Sequence, residues 1–207
     1  MGEKGAERTR DADRTREAIL AAAEDSFARL GFERASLQEI AEAASVARST
    51  PAYFFGSKKA LYDAVLARAT ARAQDAMARA YANGDGVESP EDAVASYASA
   101  FIDFLGSDSR FLRLVQREAL GDGSRVAEFF GRAVEDAVAA LGPAAERAGV
   151  APERLILDVT ALCWYPFAHE HTVMPALGLA ARDPAFLDEQ KRHIGDVVRA
   201  MLGQSPE

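Results

Sequence analysis

Apolar residues recur at helical spacing from residue 14 onward: Ile19, Ala23, Phe27 and Leu30 share one face, and Gly31 closes the run. Ser36 followed by Glu39 has the form of a capping box ahead of Ile40, which predicts a second, short helix from Leu37 to Ala44. A turn at Ser45–Ala47 follows. Proline fits a helix only in its first turn, where its missing N–H has no partner to lose, so Pro51 predicts a third short helix from Arg48 to Phe54, ended by Gly56. Ser57 then caps a longer fourth helix that carries Leu61, Val65 and Leu66 towards Tyr81. Residues 1–13 are polar and offer nothing to bury, which predicts a flexible N-terminal arm.

Asn83-Gly84-Asp85-Gly86 is the sharpest break in the pattern. Beyond it the periodicity predicts helices over residues 91–106, 110–120, 124–141, 153–172 and 186–202. Gly106-Ser107-Asp108, Gly121-Asp122-Gly123, Gly142-Pro143, Pro152 and Asp183-Pro184 punctuate them. No alternating run predicts a strand. The expected fold is all-α with about nine helices. A three-helix unit over 14–60 follows the arm, and a larger helical domain fills 61–207.

Composition adds limits. Apolar residues make up 49% of the chain, enough for a substantial core. The formal net charge of −8 is unevenly placed: residues 1–70 hold 11 basic and 11 acidic side chains, and the remainder 13 and 21. Only the contacting face of a nucleic-acid binder must be positive, so the acidic total does not exclude one. Cys163 is the single cysteine, which excludes an internal disulfide and a multi-cysteine metal site, and its apolar setting predicts a packed thiol. With no signal-like segment and no run long enough to span a bilayer, a cytoplasmic protein without membrane partners is expected.

Two short helices separated by three residues, with a longer helix on each side, form a helix-turn-helix in its usual setting. Ala41 and Ala44 permit close approach, and Leu37, Ile40, Val46 and Phe55 can pin the pair against Phe27 and Leu61. Arg48, Ser49, Thr50 and Tyr53 are left outward on the third helix, as donors that suit a major groove. The run from Arg16 to Leu66 carries Leu30-Gly31-Phe32, Ser36-Leu37-Gln38-Glu39-Ile40-Ala41 and Arg48-Ser49-Thr50-Pro51-Ala52-Tyr53-Phe54-Phe55-Gly56-Ser57-Lys58-Lys59-Ala60-Leu61. It resembles the N-terminal DNA-binding domain of the TetR repressor family. That resemblance implies contacts to the DNA backbone from Ser36 and Gln38, base reading from Arg48, Ser49 and Thr50, and phosphate contacts from Tyr53 and Lys58. Arg8, Arg10 and Arg14 could add contacts from the arm. Ala47, Ser49, Ala52 and Phe54 depart from the family's usual residues, so no relative's operator sequence transfers.

The larger domain is rich in aromatic and aliphatic side chains. Phe101, Phe104, Leu105, Leu112, Val115, Phe130, Trp164 and Phe167, with Phe129 beside them, are ordinary core or the lining of a cavity for a small apolar ligand. Arg113, Arg117, Glu118 and His169 are the polar groups that could orient such a ligand. Leu155, Val159 and Leu162 form an apolar stripe, as do Phe186, Ile194, Val197, Val198 and Met201. Intramolecular packing would account for both stripes, while the resemblance implies a homodimer interface.

His169 and His171 point apart if the helix continues through them, so no metal is expected. No nucleophile, phosphate loop or cofactor motif predicts catalytic residues, an enzyme or a cofactor. The resemblance implies a transcriptional regulator, a repressor released from a palindromic double-stranded operator by an unknown small-molecule effector. The alternatives are a helical adaptor without DNA binding and a small enzyme.

Overall fold

The computed structural model describes residues 3–82, 89–121 and 123–203, without the side chains of residues 3–8, 80–82, 90, 128, 129, 132, 133, 136, 140, 141 and 144. The break at Asn83–Gly86, Asp122, and the side chains of Arg8 and Phe129 therefore lie outside the described residues. Ten helical segments are described, with no strand among the described residues. The chain divides into two compact units, residues up to Thr70 with Arg113–Val126, and Ala71–Leu112 with Ala127–Glu207. The first unit thus includes a distant segment that the expected boundary after residue 60 leaves out.

In the first unit, α1 spans Glu3–Arg34 and is broken at Gly31, whose φ of 80° and ψ of 169° only glycine adopts readily. The arm expected at residues 1–13 is helical from Glu3. Its Glu, Lys, Ala and Arg residues are strong helix formers, and no proline interrupts them before Gly31. Helix α2 is Leu37–Ala43, α3 is Thr50–Phe55 and α4 is Lys58–Ala82. The other segment supplies most of α6, Ser109–Ala119, and the start of α7, Ser124–Arg147. Ile19, Leu20, Ala23, Phe27, Ile40, Leu61, Val65 and Leu114 are all buried. Each of these side chains larger than alanine contributes roughly 1.5–3 kcal/mol on leaving water.

The second unit is organised around α5, Pro90–Ser107, which packs against α10, Pro184–Leu202, and α8, Pro152–Ala168; the one-turn α9 is Val173–Ala176. Asp183 caps α10 through the Ala185 and Phe186 N–H groups, and Ser89 caps α5 through that of Asp92. Gln190 Nε2 donates to the Leu162 carbonyl at 3.1 Å, tying α10 to α8. Arg182 gathers the carbonyls of Leu105 and Gly106 at the end of α5 while pairing with Glu170 at 2.7 Å. Two helix ends differ from expectation. Helix α7 runs past Gly142 and Pro143 to Arg147, because the alanine-rich sequence around the proline tolerates one lost N–H. Helix α8 stops at His169, the residue that caps it, instead of continuing to 172.

Candidate nucleic-acid interface

The helix-turn-helix is built by caps. Ser36 Oγ accepts from the Glu39 N–H at 3.2 Å while Glu39 Oε2 accepts from the Ser36 N–H at 3.3 Å, the capping box read from the sequence. Helix α2 ends with Ser45 in the left-handed region at φ 56°, and the Val46 N–H bonds back to the Ala41 carbonyl at 3.0 Å. This reversal turns the chain sharply into α3. Helix α3 starts at Thr50, two residues later than expected. Arg48 and Ser49 lie in a hydrogen-bonded turn ahead of it, closed by the Thr50 N–H on the Ala47 carbonyl at 2.8 Å. Pro51 then occupies the first turn, as its missing donor requires, and is buried.

Burial sorts the two faces. Ile40, Ala41 and Pro51 point into the unit, and Leu37, Val46, Phe54 and Phe55 are half-buried. Gln38, Arg48, Ser49, Ala52 and Tyr53 are exposed, Tyr53 at 84%. Of the three residues expected to read bases, Arg48 and Ser49 face solvent, as does Tyr53, expected on a phosphate. Thr50 is half-buried.

Other expected contacts are already engaged within the unit. Ser36 is committed to its cap. Gln38 Nε2 donates to Glu42 Oε1 at 3.1 Å. Lys58 Nζ donates to the Glu33 carbonyl at 3.1 Å and sits 4.7 Å from the centre of the Phe32 ring. An ammonium has three donors, so Lys58 keeps capacity for a phosphate from a fixed position. Arg48 is the single cation between residues 37 and 57, against Glu39 and Glu42.

Three arginines brace this surface. Arg16 lies 4.8 Å from the centre of the Phe55 ring, at the end of α3. Arg68 on α4 bonds the buried Glu24 at 2.5 Å and the exposed Glu17 at 3.1 Å, pinning α4 to α1. Arg117 on α6 donates to the Ala28 and Arg29 carbonyls at 3.0 and 2.6 Å, satisfying the end of α1 just before Gly31. Beside it, buried Tyr62 donates to Glu118 Oε2 at 2.8 Å, and Glu118 Oε1 pairs with Arg125 at 3.2 Å. Burial first, then the Glu118 bond, push the Tyr62 hydroxyl well above its ordinary value. Arg117 and Glu118, read from the sequence as groups that could orient a ligand, are thus committed to the helix-turn-helix unit. They pair with residues more than fifty positions away, which no local spacing reveals.

In the second unit, Phe101, Phe104, Leu105, Leu112 and Phe167 are buried, and Phe130, Trp164 and His169 half-buried. Phe111 stands at the centre of the aromatic group, 4.9 Å from Phe104, 6.2 Å from Trp164 and 6.3 Å from Phe130 between ring centres. These are contact distances of packed rings. Val115 belongs to the first unit and is buried there. Of the stripes on α8 and α10, Leu155, Val159, Ile194 and Val198 are buried within their own chain, while Leu162, Phe186, Val197 and Met201 are half-buried. The apolar side chains that α8 does expose are Leu157 and Tyr165. Buried Cys163 faces the Ala98 carbonyl at 3.7 Å, and burial pushes its thiol up to about 12.

Comparison with known proteins places these features. Residues 19–65 match the family of bacterial regulatory proteins called the tetR family, and residues 90–198 match the tetracyclin repressor-like C-terminal domain. The HTH-type transcriptional regulator RutR of Escherichia coli is 46% identical over 59 residues, a stretch that covers 28% of this chain and 28% of RutR. The HTH-type transcriptional repressor NicS of Pseudomonas putida is 26% identical over 186 residues, covering 85% of this chain and 86% of NicS. Among solved structures, SCO4942 from Streptomyces coelicolor superposes with a TM-score of 0.71 at 22% identity, over 92% of this chain and 99% of that one. A TetR family transcription regulator from Marinobacter aquaeolei gives 0.70 at 17% identity, over 91% and 97%. With both halves matched by its two characteristic domains, the chain belongs to the tetR family of bacterial regulatory proteins.

Proposed function

We propose that the chain is a DNA-binding transcriptional repressor that acts as a homodimer and leaves a palindromic operator when a small molecule binds. The observation that carries this reading is the capped helix-turn-helix, with its apolar side buried and Arg48, Ser49 and Tyr53 presented to solvent. A turn and short helix of this kind fit a major groove with Arg48 able to fork onto a guanine edge. The likeness to NicS, named a repressor, supports repression over activation. The matched families and relatives are regulators, not enzymes. Among the described residues no helix is long and apolar enough to cross a membrane, and we place the protein in the cytoplasm with its DNA.

A palindrome is read by a two-fold dimer. Exposed Leu157 and Tyr165, with half-buried Leu162, Phe186, Val197 and Met201, support a paired face on α8 and α10. Leu155, Val159, Ile194 and Val198 stiffen that face from beneath. Effector binding weakens operator binding, and linkage requires DNA to weaken effector binding by the same factor. A mobility-shift titration of the full chain on DNA flanking its own gene tests the reading. Salt-sensitive retention of one fragment over a scrambled one supports it, and no retention at low salt would leave a helical adaptor in its place.

A further inference from the structure

Nine cations lie between Thr9 and Thr70, and they fall into two groups. Arg29 pairs with Asp25, Lys59 with Asp63, and Arg68 with Glu17 and Glu24. Arg10, Arg14, Arg16, Arg34, Arg48 and Lys58 have no ion pair among the described residues, and all but Lys58 are exposed.

Two of these six are nevertheless fixed in place, both by aromatic rings of the helix-turn-helix unit. Arg16 Cζ sits 4.8 Å from the centre of the ring of Phe55, the last residue of α3, and Lys58 Nζ sits 4.7 Å from that of Phe32. A carboxylate would hold a cation and cancel its charge. An aromatic face holds it through the ring quadrupole and leaves the charge whole. Arg125 shows the contrast: it also lies over Phe32 and Tyr62, but Asp63 and Glu118 neutralise it.

The surroundings of Arg16 favour a partner from outside the chain. Residues 9–18 of α1 are exposed apart from half-buried Thr15, and burial begins only at Ile19 and Leu20. Two carboxylates lie within one helical turn of Arg16. Glu17 is turned to Arg68 at 3.1 Å, and Asp13 makes no ion pair among the described residues. The five N–H donors of the Arg16 guanidinium have no acceptor among the described residues either.

We propose that Arg16 binds a phosphate of the DNA backbone, with Phe55 as the platform that aims it. The inference rests on the reading of the helix-turn-helix as a DNA reader. A helix seated in a major groove, about 12 Å wide, has a sugar–phosphate strand along each side. Arg16 reaches such a strand from beside the C-terminal end of α3, while Arg48 stands ahead of its N-terminal end. Phosphate contacts fix register and orientation and carry no sequence information, so Arg16 seats α3 without choosing its bases. Phe55 lies far along the chain, which is why helical spacing alone does not single out Arg16 from Arg10 and Arg14.

The test is fluorescence anisotropy of the full chain across salt concentrations, on labelled DNA flanking its own gene and on a scrambled duplex. The parent is compared with Arg16→Gln, Arg16→Lys and Arg29→Gln, and thermal melts establish that each variant is folded. Arg16→Gln should weaken both duplexes by a common factor, about tenfold or more at low salt, and reduce the slope of log affinity against log salt by about 0.9 per subunit. Arg16→Lys keeps the charge and should keep most of the slope. Arg29→Gln removes an α1 cation that is already paired, and should match the parent. An Arg16→Gln variant with the parent's slope overturns the proposal, as does an equal loss of slope in Arg29→Gln. Lost preference for the flanking DNA with the slope unchanged would make Arg16 a brace for α3 and overturn it too. In each of these cases the parent's own salt-sensitive binding leaves the DNA reading standing, whereas a parent that binds neither duplex brings down both.

Discussion

Tyr62→Phe removes one oxygen from the interior of the helix-turn-helix unit and little else. The ring keeps its packing, 4.9 Å from Phe27 and 5.0 Å from Phe32 between centres. What is lost is the 2.8 Å bond to Glu118, a carboxylate that is only 7% exposed. A hydrogen bond to a charged group contributes about 1.5–3 kcal/mol, and Glu118 keeps Arg125 on its other oxygen, so about 2 kcal/mol is expected at pH 7. For a chain of this size that is roughly 4–8 °C in melting temperature. The raised Tyr62 hydroxyl gives the effect a pH signature. Its contribution is complete below the ordinary tyrosine value of 10.0 and is lost as pH rises above it, because the unfolded chain ionises first. The gap between the parent and Tyr62→Phe should therefore shrink by about 1.4 kcal/mol between pH 8 and pH 11. Urea unfolding followed by circular dichroism at several pH values measures it. A gap under about 0.5 kcal/mol at pH 7, or one unchanged at pH 11, would refute the assignment of a buried Tyr62–Glu118 bond.

Arg68→Met removes the arginine from its 2.5 Å pair with Glu24, which is 1% exposed, and should cost about 3 kcal/mol, the low end for a broken buried pair because Arg68 is itself partly exposed. Adding Glu24→Gln should recover part of that loss, whereas Glu17→Gln on the exposed partner should change stability by less than about 1 kcal/mol; denaturant titration of the three variants decides. Ser45→Gly relieves a left-handed φ of 56° and should stabilise the chain by about 0.5 kcal/mol, and a lower melting temperature would contradict the turn described here. Cys163, buried and pushed up to about 12, should resist a chromogenic disulfide reagent at pH 8 in the native chain and react fully in urea.

Local features were legible in the sequence wherever one residue's chemistry decided them. Ser36 and Glu39 cap α2 as written, Gly31 breaks α1, and Pro51 keeps α3 short. Of the outward set expected at Arg48, Ser49, Thr50 and Tyr53, Thr50 is half-buried and the other three are exposed. Features that depend on distant partners were not legible. Arg117 and Glu118 look like free polar groups on an apolar helix until the fold brings Ala28, Arg29 and Tyr62 to them. Leu155 and Ile194 fit a stripe that could face a second copy or the chain's own interior, and periodicity cannot choose between those faces.

The turn and helix from Arg48 to Phe55 are the proposed reader of DNA. Fluorescence anisotropy of the full chain, on labelled DNA flanking its own gene and on a scrambled duplex, tests it most directly when the parent and Arg48→Ala are compared across salt concentrations. The parent should bind the flanking DNA tightly and with strong salt sensitivity. Arg48→Ala should lose about 1–3 kcal/mol and much of the preference over the scrambled duplex. Equal binding of both duplexes by the parent, or an Arg48→Ala variant that keeps the parent's affinity and preference, would contradict it.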